Sequence, residues 1–219
     1  MKTIERWWQM MKTSISITKV KTTREDIVKE LLNTNTDYLH IDMMDGKFVT
    51  NTQLLPKEVL SLCDGVDRKL DIHMMVVDPI KYIRELQFMT NINNITIHSE
   101  IGNTNYYLEC IHSLGFKAGL AINPDTEVNK ILQYLDDVDI VLIMGVFPGL
   151  GGQEIIPSTI NKIKELQELR EKYNLSFEIE FDGGVNKETR PMLEGLDTIV
   201  SGSYVCLSDD IQSRINELR

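Results

Sequence analysis

The segment 38–51, which reads YLHIDMMDGKFVTN, combines an apolar run with side chains that bind metals and transfer protons. His40 and Asp42 stand two residues apart, and residues at that spacing point to the same face of a β-strand. An imidazole that can ligate a metal and a carboxylate that can act as a base would therefore lie side by side at one strand end. This spacing favours a metal-binding or acid–base role for the segment.

Two further segments carry the same chemistry after apolar runs. His73 occurs in LDIHMMVVDP and Asp182 in EIEFDGGV. Two imidazoles and two carboxylates can hold a divalent transition metal such as Zn2+, Fe2+, Mn2+ or Co2+. Neither H-I-D nor D-I-H is a metal-binding motif by itself, so this interpretation depends on a fold that brings the strand ends together. Taken singly, His40 could be a core histidine and Asp182 a turn residue.

Apolar runs and helical periodicity predict one alternation of strands and helices along the whole chain. The predicted strands are 14–17, 37–42, 69–74, 94–98, 117–122, 140–144, 176–181 and 198–201. The predicted helices are 23–33, 56–62, 79–89, 104–114, 128–135, 157–173, 187–193 and 209–218. Eight such units favour an α/β fold of the (β/α)8 TIM-barrel class, as a single domain over residues 13–219. An open, doubly wound sheet is the alternative, because periodicity does not reveal strand order.

The barrel hypothesis explains where the polar residues fall, since active sites of such barrels lie at the carboxyl ends of the strands. The residues at these ends are Ser16, Asp42, His73, His98, Asn123, Met144, Asp182 and Ser201. A barrel would bring His40, Asp42, His73 and Asp182 to one rim, where they could converge on a metal. Packing alone does not explain buried strands that end repeatedly in titratable groups, so the pattern favours an enzyme.

Glycine-rich segments follow the last three predicted strands, at 147–152, 182–184 and 201–203. Glycine lets backbone N–H groups approach an anion closely, and phosphate sites of these barrels often lie in the last loops. The three segments together predict a phosphorylated ligand. The candidate residues are Gly149, Gly151, Gly152, Gly183, Gly184, Gly202 and Ser203.

Three methionines lie near strand ends beside an acid or a histidine: Met44, Met75 and Met144. Each could be an ordinary core residue, because methionine fills irregular gaps. As site residues, their thioethers could cover one face of a planar intermediate with a surface that donates no proton.

Composition limits the partners of this chain. A net charge of −10 argues against nucleic acid or an anionic membrane surface as the main partner. No apolar stretch approaches the ~18 residues that a membrane span needs, and the N-terminus lacks the apolar core of a signal peptide. Cys63, Cys110 and Cys206 are widely spaced, which predicts reduced thiols and a cytoplasmic location.

Residues 1–12 are predicted to form an N-terminal extension that precedes the barrel domain. Trp7 and Trp8 in this extension are expected to pack on the outside of the barrel or on a partner subunit. We therefore expect a homo-oligomer.

Seven segments in order resemble the ribulose-phosphate 3-epimerase family from about Ser14 onward. They are HIDMMDGKFVTN, LDIHMMVVDP, ITIHSE, GLAINPDTEV, VLIMGVFPGLGGQ, EIEFDGGV and VSGS. The resemblance implies a TIM barrel with one catalytic metal, an acid/base pair formed by Asp42 and Asp182, and a site lined by the three methionines. The implied metal ligands are His40, Asp42, His73 and Asp182, with His73 also near the substrate. Ser16 matches the serine of the family's first-strand motif, with Ser14 as the alternative.

The family resemblance implies inversion of C3 of a ketose phosphate, most simply D-ribulose 5-phosphate to D-xylulose 5-phosphate. One carboxylate would remove the C3 proton and the other would return one from the opposite face, while the metal stabilises the enediolate. The loops depart from the family, so a hexulose phosphate such as D-allulose 6-phosphate is an alternative substrate. The departures are Lys47, Thr50, Gly145, Phe147 and Phe181, in place of the usual histidine, proline, threonine, acid and valine.

Two other functions on a similar barrel are disfavoured. A decarboxylase or aldolase-type lyase would typically show a D-x-K-x-x-D motif, whereas LDIHMMVVD has His73 and no lysine. A non-catalytic sugar-phosphate-binding protein would have no reason to keep all four ligands and both acids.

Overall fold

The computed structural model describes residues 11–219, and eight parallel strands close into a barrel within them. The strands are Lys12–Ser16 (β1), Tyr38–Asp45 (β2), Thr52–Gln53 (β3), Lys69–Met75 (β4), Ile92–His98 (β5), Lys117–Ile122 (β6), Ile140–Met144 (β7), Glu178–Asp182 (β8) and Thr198–Ser201 (β9). Parallel pairing of β1 with both β2 and β9 closes the barrel, whereas β3 only forms an antiparallel pair with the end of β2. The predicted TIM barrel is confirmed, and the open sheet is excluded.

Helices follow most of the barrel strands and cover their outer faces. They are Arg24–Leu32 (α1), Pro56–Cys63 (α2), Pro79–Leu86 (α3), Thr104–Ser113 (α4), Asn161–Lys172 (α5), Ser203–Cys206 (α6) and Ile211–Asn216 (α7). Their starts carry the expected signals: Thr23 accepts a hydrogen bond from the Asp26 N–H at 3.2 Å, and prolines open α2 and α3. No helix within residues 11–219 combines the length and the apolar character needed to cross a membrane.

Three predicted helices differ from the structure. The predicted helix 187–193 is wrong, since only a 3-10 turn at Arg190–Met192 forms there. Pro191 offers no N–H for a helical hydrogen bond. The predicted helix 128–135 is a 3-10 helix at Val128–Tyr134, and the first turn of the predicted helix 157–173 is a 3-10 turn at Pro157–Ile160.

The predicted N-terminal extension, including Trp7 and Trp8, lies mostly outside the described residues. Lys12 is already the first residue of β1, so the barrel begins one residue before the predicted domain boundary.

Alternation along the strands separates an apolar outer layer from a polar interior. Ile15, Ile41 and Ile72 belong to the fully buried apolar layer between strands and helices. Inside the barrel, Ser14 Oγ donates to Asp71 Oδ2 at 2.7 Å and Asn94 Nδ2 donates to Asp71 Oδ1 at 2.6 Å. A buried carboxylate is costly unless it is hydrogen-bonded, so these interior residues satisfy one another. The inward faces of β1, β4 and β5 thus carry polar side chains, whereas Ala121 of β6 and Leu142 of β7 form a small separate apolar cluster.

Two of the departures from the family, Gly145 and Phe181, lie against each other. A Cβ added at Gly145 would be 2.4 Å from Phe181 Cε1 and 2.6 Å from the Gly183 carbonyl oxygen. Phe181 is fully buried in the outer apolar layer. Its ring occupies the space that a side chain at position 145 would need, so the two departures compensate each other.

Gly145→Thr is expected to lower the free energy of unfolding by roughly 1–3 kcal/mol, the usual cost of overpacking. Adding Phe181→Val should recover part of that loss, because it removes the ring but not the carbonyl of Gly183. Urea unfolding of the wild type, both single variants and the double variant measures the coupling between the two positions. Additive losses in the double variant would contradict the steric explanation.

Candidate active site

The structure brings His40, Asp42, His73 and Asp182 together at the carboxyl ends of β2, β4 and β8. One ligand atom from each of the four lies within 4.8 Å of the others. Strand register sets this arrangement, because Asp42 pairs with His73 between β2 and β4. The alternation of β2 turns His40 and Asp42 to the same inward face. All four side chains predicted as metal ligands thus converge.

The geometry of the four side chains fits a divalent metal. His73 Nδ1 lies 3.1 Å from Asp42 Oδ1 and 3.8 Å from Asp182 Oδ2. His40 Nε2 lies 3.3 Å from Asp42 Oδ1 and 3.9 Å from Asp182 Oδ2. A tetrahedral zinc ion with bonds of about 2.0–2.1 Å needs ligand atoms about 3.3 Å apart. His40 Nε2 is also buried without a hydrogen-bond partner among the described residues, so this nitrogen is available to a metal.

Asp71 supports His40 from below. His40 Nδ1 lies 2.6 Å from Asp71 Oδ2, and the carboxylate also accepts from Ser14 and Asn94. Burial raises the pKa of Asp71, but His40 and the hydrogen bonds with Glu180 and Ser14 outweigh it and hold that pKa well below its ordinary value. Burial lowers the pKa of His40, but the Asp71 and Asp42 carboxylates outweigh it and raise that pKa well above its ordinary value, so without a metal both ring nitrogens carry a proton. Because Asp71 holds the proton on Nδ1, a bound metal would replace only the proton on Nε2.

A second chain of hydrogen bonds supports His73. Its Nε2 lies 2.8 Å from His98 Nε2, and His98 Nδ1 lies 3.2 Å from Glu100 Oε2. An ionised Glu100 accepts the proton of His98 Nδ1, so His98 Nε2 accepts from His73 Nε2–H. His73 Nδ1, which lies 3.1 Å from Asp42 Oδ1, would then offer its lone pair to a metal bound at the centre. We call His73, His98 and Glu100 the relay.

Charge and burial agree with this proton arrangement in the relay. Burial lowers the pKa of His98 to about 4, which keeps its imidazole neutral. Burial alone would raise the pKa of Glu100, but hydrogen bonds from His98, Thr126 and the Asn123 N–H lower it to about 2. Glu100 is therefore the fixed negative end of the relay.

The loop after β6 holds Glu100 in place. The Asn123 N–H donates to Glu100 Oε1 at 2.9 Å. Lys162 of α5 donates to the carbonyl oxygens of Asn123, Pro124 and Thr126 at 2.7, 3.0 and 2.7 Å. This loop thus links Glu100, the outer end of the relay, to α5 on the outside of the barrel.

The two carboxylates of the cluster favour opposite protonation states. Burial raises the pKa of Asp42, but His40 and His73 outweigh it and hold that pKa well below its ordinary value. Burial and the Asp42 carboxylate raise the pKa of Asp182 to about 7. Asp42 also accepts hydrogen bonds from Ser16 Oγ and Thr18 Oγ1, both at 2.6 Å. One group is thus a carboxylate at neutral pH while the other can carry a proton, as an acid/base pair requires.

A cavity of about 690 Å³ opens above the cluster. Nearly all of the residues predicted to bind substrate line it: Ser16, Met44, Met75, Met144, Gly149, Gly151, Gly152, Gly183, Gly184, Gly202 and Ser203. His73 is fully buried beneath the cavity and does not line it. Ser14 is bonded to Asp71 in the barrel interior, so Ser16 is the serine that faces the cavity.

The glycine loops at the cavity wall need residues without side chains. Gly183 and Gly184 have φ values of 113° and 71°, which favour glycine. A Cβ on Gly184 would lie 2.6 Å from the backbone nitrogen of Ile155. Glycine at this position therefore allows the loop after β8 to approach the backbone of the loop after β7 at the cavity wall.

Sequence reasoning missed several residues of this site. Asp71, His98 and Glu100 were not predicted as site residues, although LDIH and ITIHSE place them beside or on strand ends. The alternation of β4 and β5 could have indicated the inward direction of Asp71 and His98. Thr18 and Lys19, in the turn after β1, also line the cavity and carried no sequence signal.

The relay predicts a specific loss of stability in acid. The pKa of His98 is about 4 in the folded protein against an ordinary value of 6.5. As the pH falls, the unfolded chain takes up a proton on His98 before the folded protein does. The contribution of His98 to the free energy of unfolding is therefore fully present above pH 6.5 and is lost as the pH drops from 6.5 to 4. His98→Gln should remove up to about 3 kcal/mol of this pH-dependent loss.

Urea unfolding of chelator-treated protein across this pH range measures the effect. His112→Gln is the control for loss of a histidine outside the relay, because His112 lies on α4 and pairs with Asp139 at 2.8 Å on the outer surface. The effect specific to His98 is the difference between the two variants. An unchanged pH dependence in His98→Gln would contradict the assignment of the buried neutral imidazole.

The comparisons with known proteins point to the family that the sequence resembles. The model of the ribulose-phosphate 3 epimerase family matches residues 10–206. Proteins named ribulose-phosphate 3-epimerase are 37% identical in Bacillus subtilis, over 88% of this chain and 90% of that protein, and 35% identical in Helicobacter pylori, over 84% and 86%. A chloroplastic ribulose-5-phosphate-3-epimerase of Arabidopsis thaliana is 35% identical over 84% of this chain and 66% of its own length.

Solved structures show the same fold at low identity. KGPDC from Streptococcus mutans has a TM-score of 0.68 at 12% identity, with 96% of each chain covered. Tryptophan synthase of Mycobacterium tuberculosis has a TM-score of 0.64 at 10% identity, with 95% of this chain and 91% of that one covered. These likenesses support the barrel and not a shared reaction.

Proposed function

The chain belongs to the ribulose-phosphate 3-epimerase family and is a carbohydrate epimerase, and we propose that it interconverts D-ribulose 5-phosphate and D-xylulose 5-phosphate. The observation that carries this proposal is the pair Asp42 and Asp182, which share one buried centre with His40 and His73 and line the cavity above it. Named relatives that act on ribulose phosphate favour the pentulose over the hexulose alternative. A phosphorylated ketose fits the family and the glycine loops of the cavity.

His40, Asp42, His73 and Asp182 are the proposed metal ligands. A divalent cation bound there supplies Lewis-acid stabilisation of the negative charge that develops beside C3. Two imidazoles and two carboxylates at near-tetrahedral spacing fit Zn2+ best, with Fe2+, Mn2+ and Co2+ as alternatives.

Proton transfer is the proposed work of the two carboxylates. Asp42, held ionised, removes the C3 proton from one face, and Asp182 delivers a proton to the other face. In the reverse direction the two groups exchange roles. The two carboxylates titrate as a coupled pair, because each one, when ionised, raises the proton affinity of the other.

Orientation of the substrate is the proposed role of the rest of the cavity. The glycine loops hold the phosphate through backbone N–H groups, so that C3 lies between the two acids. Met44, Met75 and Met144 cover the reacting carbons with apolar, polarisable side chains that offer no proton.

The setting of the enzyme stays a prediction. We propose a cytoplasmic location, supported by the three free thiols of Cys63, Cys110 and Cys206. The predicted homo-oligomer rests on Trp7 and Trp8, which lie outside the described residues.

Asp182→Asn is expected to lower kcat by at least about 10²-fold, because an amide can neither accept nor donate the proton in transit. Proton NMR in D2O measures exchange at C3 of D-ribulose 5-phosphate and, in parallel, of D-allulose 6-phosphate. Asp125→Asn, an exposed change in the turn after β6, is the matched control and should keep wild-type exchange. Near-native exchange in Asp182→Asn would remove that residue from the acid/base role.

Three outcomes in the same assay would point to another reaction. Faster exchange of the hexulose phosphate would indicate that substrate, release of a carbon fragment would indicate a lyase, and binding without exchange would indicate a non-catalytic barrel.

Removal of metal is expected to abolish activity and to lower the melting temperature. At 100 times its dissociation constant a bound metal stabilises the folded state by about 2.7 kcal/mol. Elemental analysis identifies the metal, and calorimetry before and after chelation measures the loss of stability. His40→Gln should lose most of this metal-dependent stabilisation, whereas His112→Gln should keep it. Equal stabilisation of both variants by zinc would place the metal elsewhere.

A further inference from the structure

Lys19 lies beside the glycine loops of the cavity. Its side chain lines the cavity wall in the turn after β1 and packs along Gly151 and Gly152. The point where a Cβ of Gly152 would stand is 3.2 Å from Lys19 Nζ and 3.5 Å from Ser203 Oγ. The ammonium group, a hydroxyl and a glycine backbone therefore surround one small region of the cavity.

The ammonium group of Lys19 has no ion-pair partner among the described residues. Within residues 11–219, Lys19 is the one cationic side chain that lines the cavity, whereas Asp42, Glu154 and Asp182 are its acids. Lys19 Nζ forms neither an ion pair nor a hydrogen bond with any described residue. By contrast, Lys21 Nζ donates to the Ser208 carbonyl at 2.6 Å and lies 3.8 Å from Glu30.

A phosphorylated substrate creates a need for such a charge. A phosphate monoester carries about −1.5 to −2 charges at neutral pH, and it must enter a protein of net charge −10 beside two carboxylates. Backbone N–H groups offer only partial charges, whereas a lysine ammonium is a compact full charge that suits phosphate. Lys19 is exposed at the cavity wall, so water solvates its ammonium group until the phosphate of a ligand takes the place of that water.

We propose that Lys19 binds the phosphate group of the substrate, together with Ser203 and the backbone of Gly151 and Gly152. Lys19 thereby selects phosphorylated ketoses over free ketoses. The assignment rests on the proposed function, because it takes the ketose phosphate as the ligand. Lys19 adds an ionic contact to the glycine loops.

Three variants test this role: Lys19→Gln, Lys19→Arg and the matched control Lys21→Gln. Lys19→Gln is expected to raise KM for D-ribulose 5-phosphate about 10-fold, with kcat within about 2-fold, because it removes ground-state and transition-state binding equally. Lys19→Arg, which keeps the charge, should recover most of the affinity. Lys21→Gln should retain the wild-type KM.

Binding of inorganic phosphate, followed by 31P NMR, gives a readout that needs no turnover. The dissociation constant should rise about 10-fold in Lys19→Gln and stay unchanged in Lys21→Gln. Wild-type affinity should also weaken with added salt more steeply than that of Lys19→Gln. Free D-ribulose serves as the uncharged probe, and its binding should not depend on Lys19.

The outcomes separate this inference from the proposed function. Epimerase activity with unchanged KM and phosphate affinity in Lys19→Gln would overturn the role of Lys19 and leave the function intact. Lys19-dependent phosphate binding without C3 exchange would support the anion contact and overturn the function. An equal loss in Lys21→Gln would also overturn the role, because the effect would then be one of overall charge.

Discussion

The centre of this site depends on the hydrogen bond that each imidazole makes on its outer side. A neutral imidazole has one lone pair, and the partner of its other nitrogen decides where that lone pair points. Asp71 fixes His40, and His98 with Glu100 fixes His73. Both free nitrogens therefore face Asp42 and Asp182. Without these outer partners the imidazoles could adopt the other tautomer, and the centre would offer N–H groups where a cation needs lone pairs.

The barrel makes such support possible inside a folded chain. Successive residues of each strand face alternately outward to apolar side chains and inward to polar ones, as Ile41 does between His40 and Asp42. The interior carboxylate of Asp71 keeps its charge because Ser14, His40 and Asn94 all bond to it. Glu180 shows the opposite effect, because burial and the Asp71 carboxylate raise its pKa well above the ordinary value. The polar interior is thus a support for the rim and not a defect in the core.

The succession of strands and helices followed from periodicity, and the convergence of the four ligand side chains followed from the barrel hypothesis and the family resemblance. The proton positions did not, because they depend on distances between side chains from different strands. Glu100 lies beyond the end of β5, and nothing in its spacing shows that it reaches His98. Lys19 lies in a turn without a motif, so only its position beside the glycine loops in the structure indicates a role in the cavity. The helix predicted at 187–193 was wrong because the prediction relied on periodicity and did not take account of Pro191. Pro191 has no N–H for a helical hydrogen bond, and only a short 3-10 turn forms.

Surface loops of a barrel usually tolerate insertions and deletions. The connection after β6 is different, since its backbone at Asn123 holds Glu100 while three of its carbonyl oxygens hold Lys162. Adding or deleting one residue there would break one set of contacts to keep the other. Divergence in the length of this connection should therefore be rare among proteins that keep both partners, even though it never touches the substrate cavity.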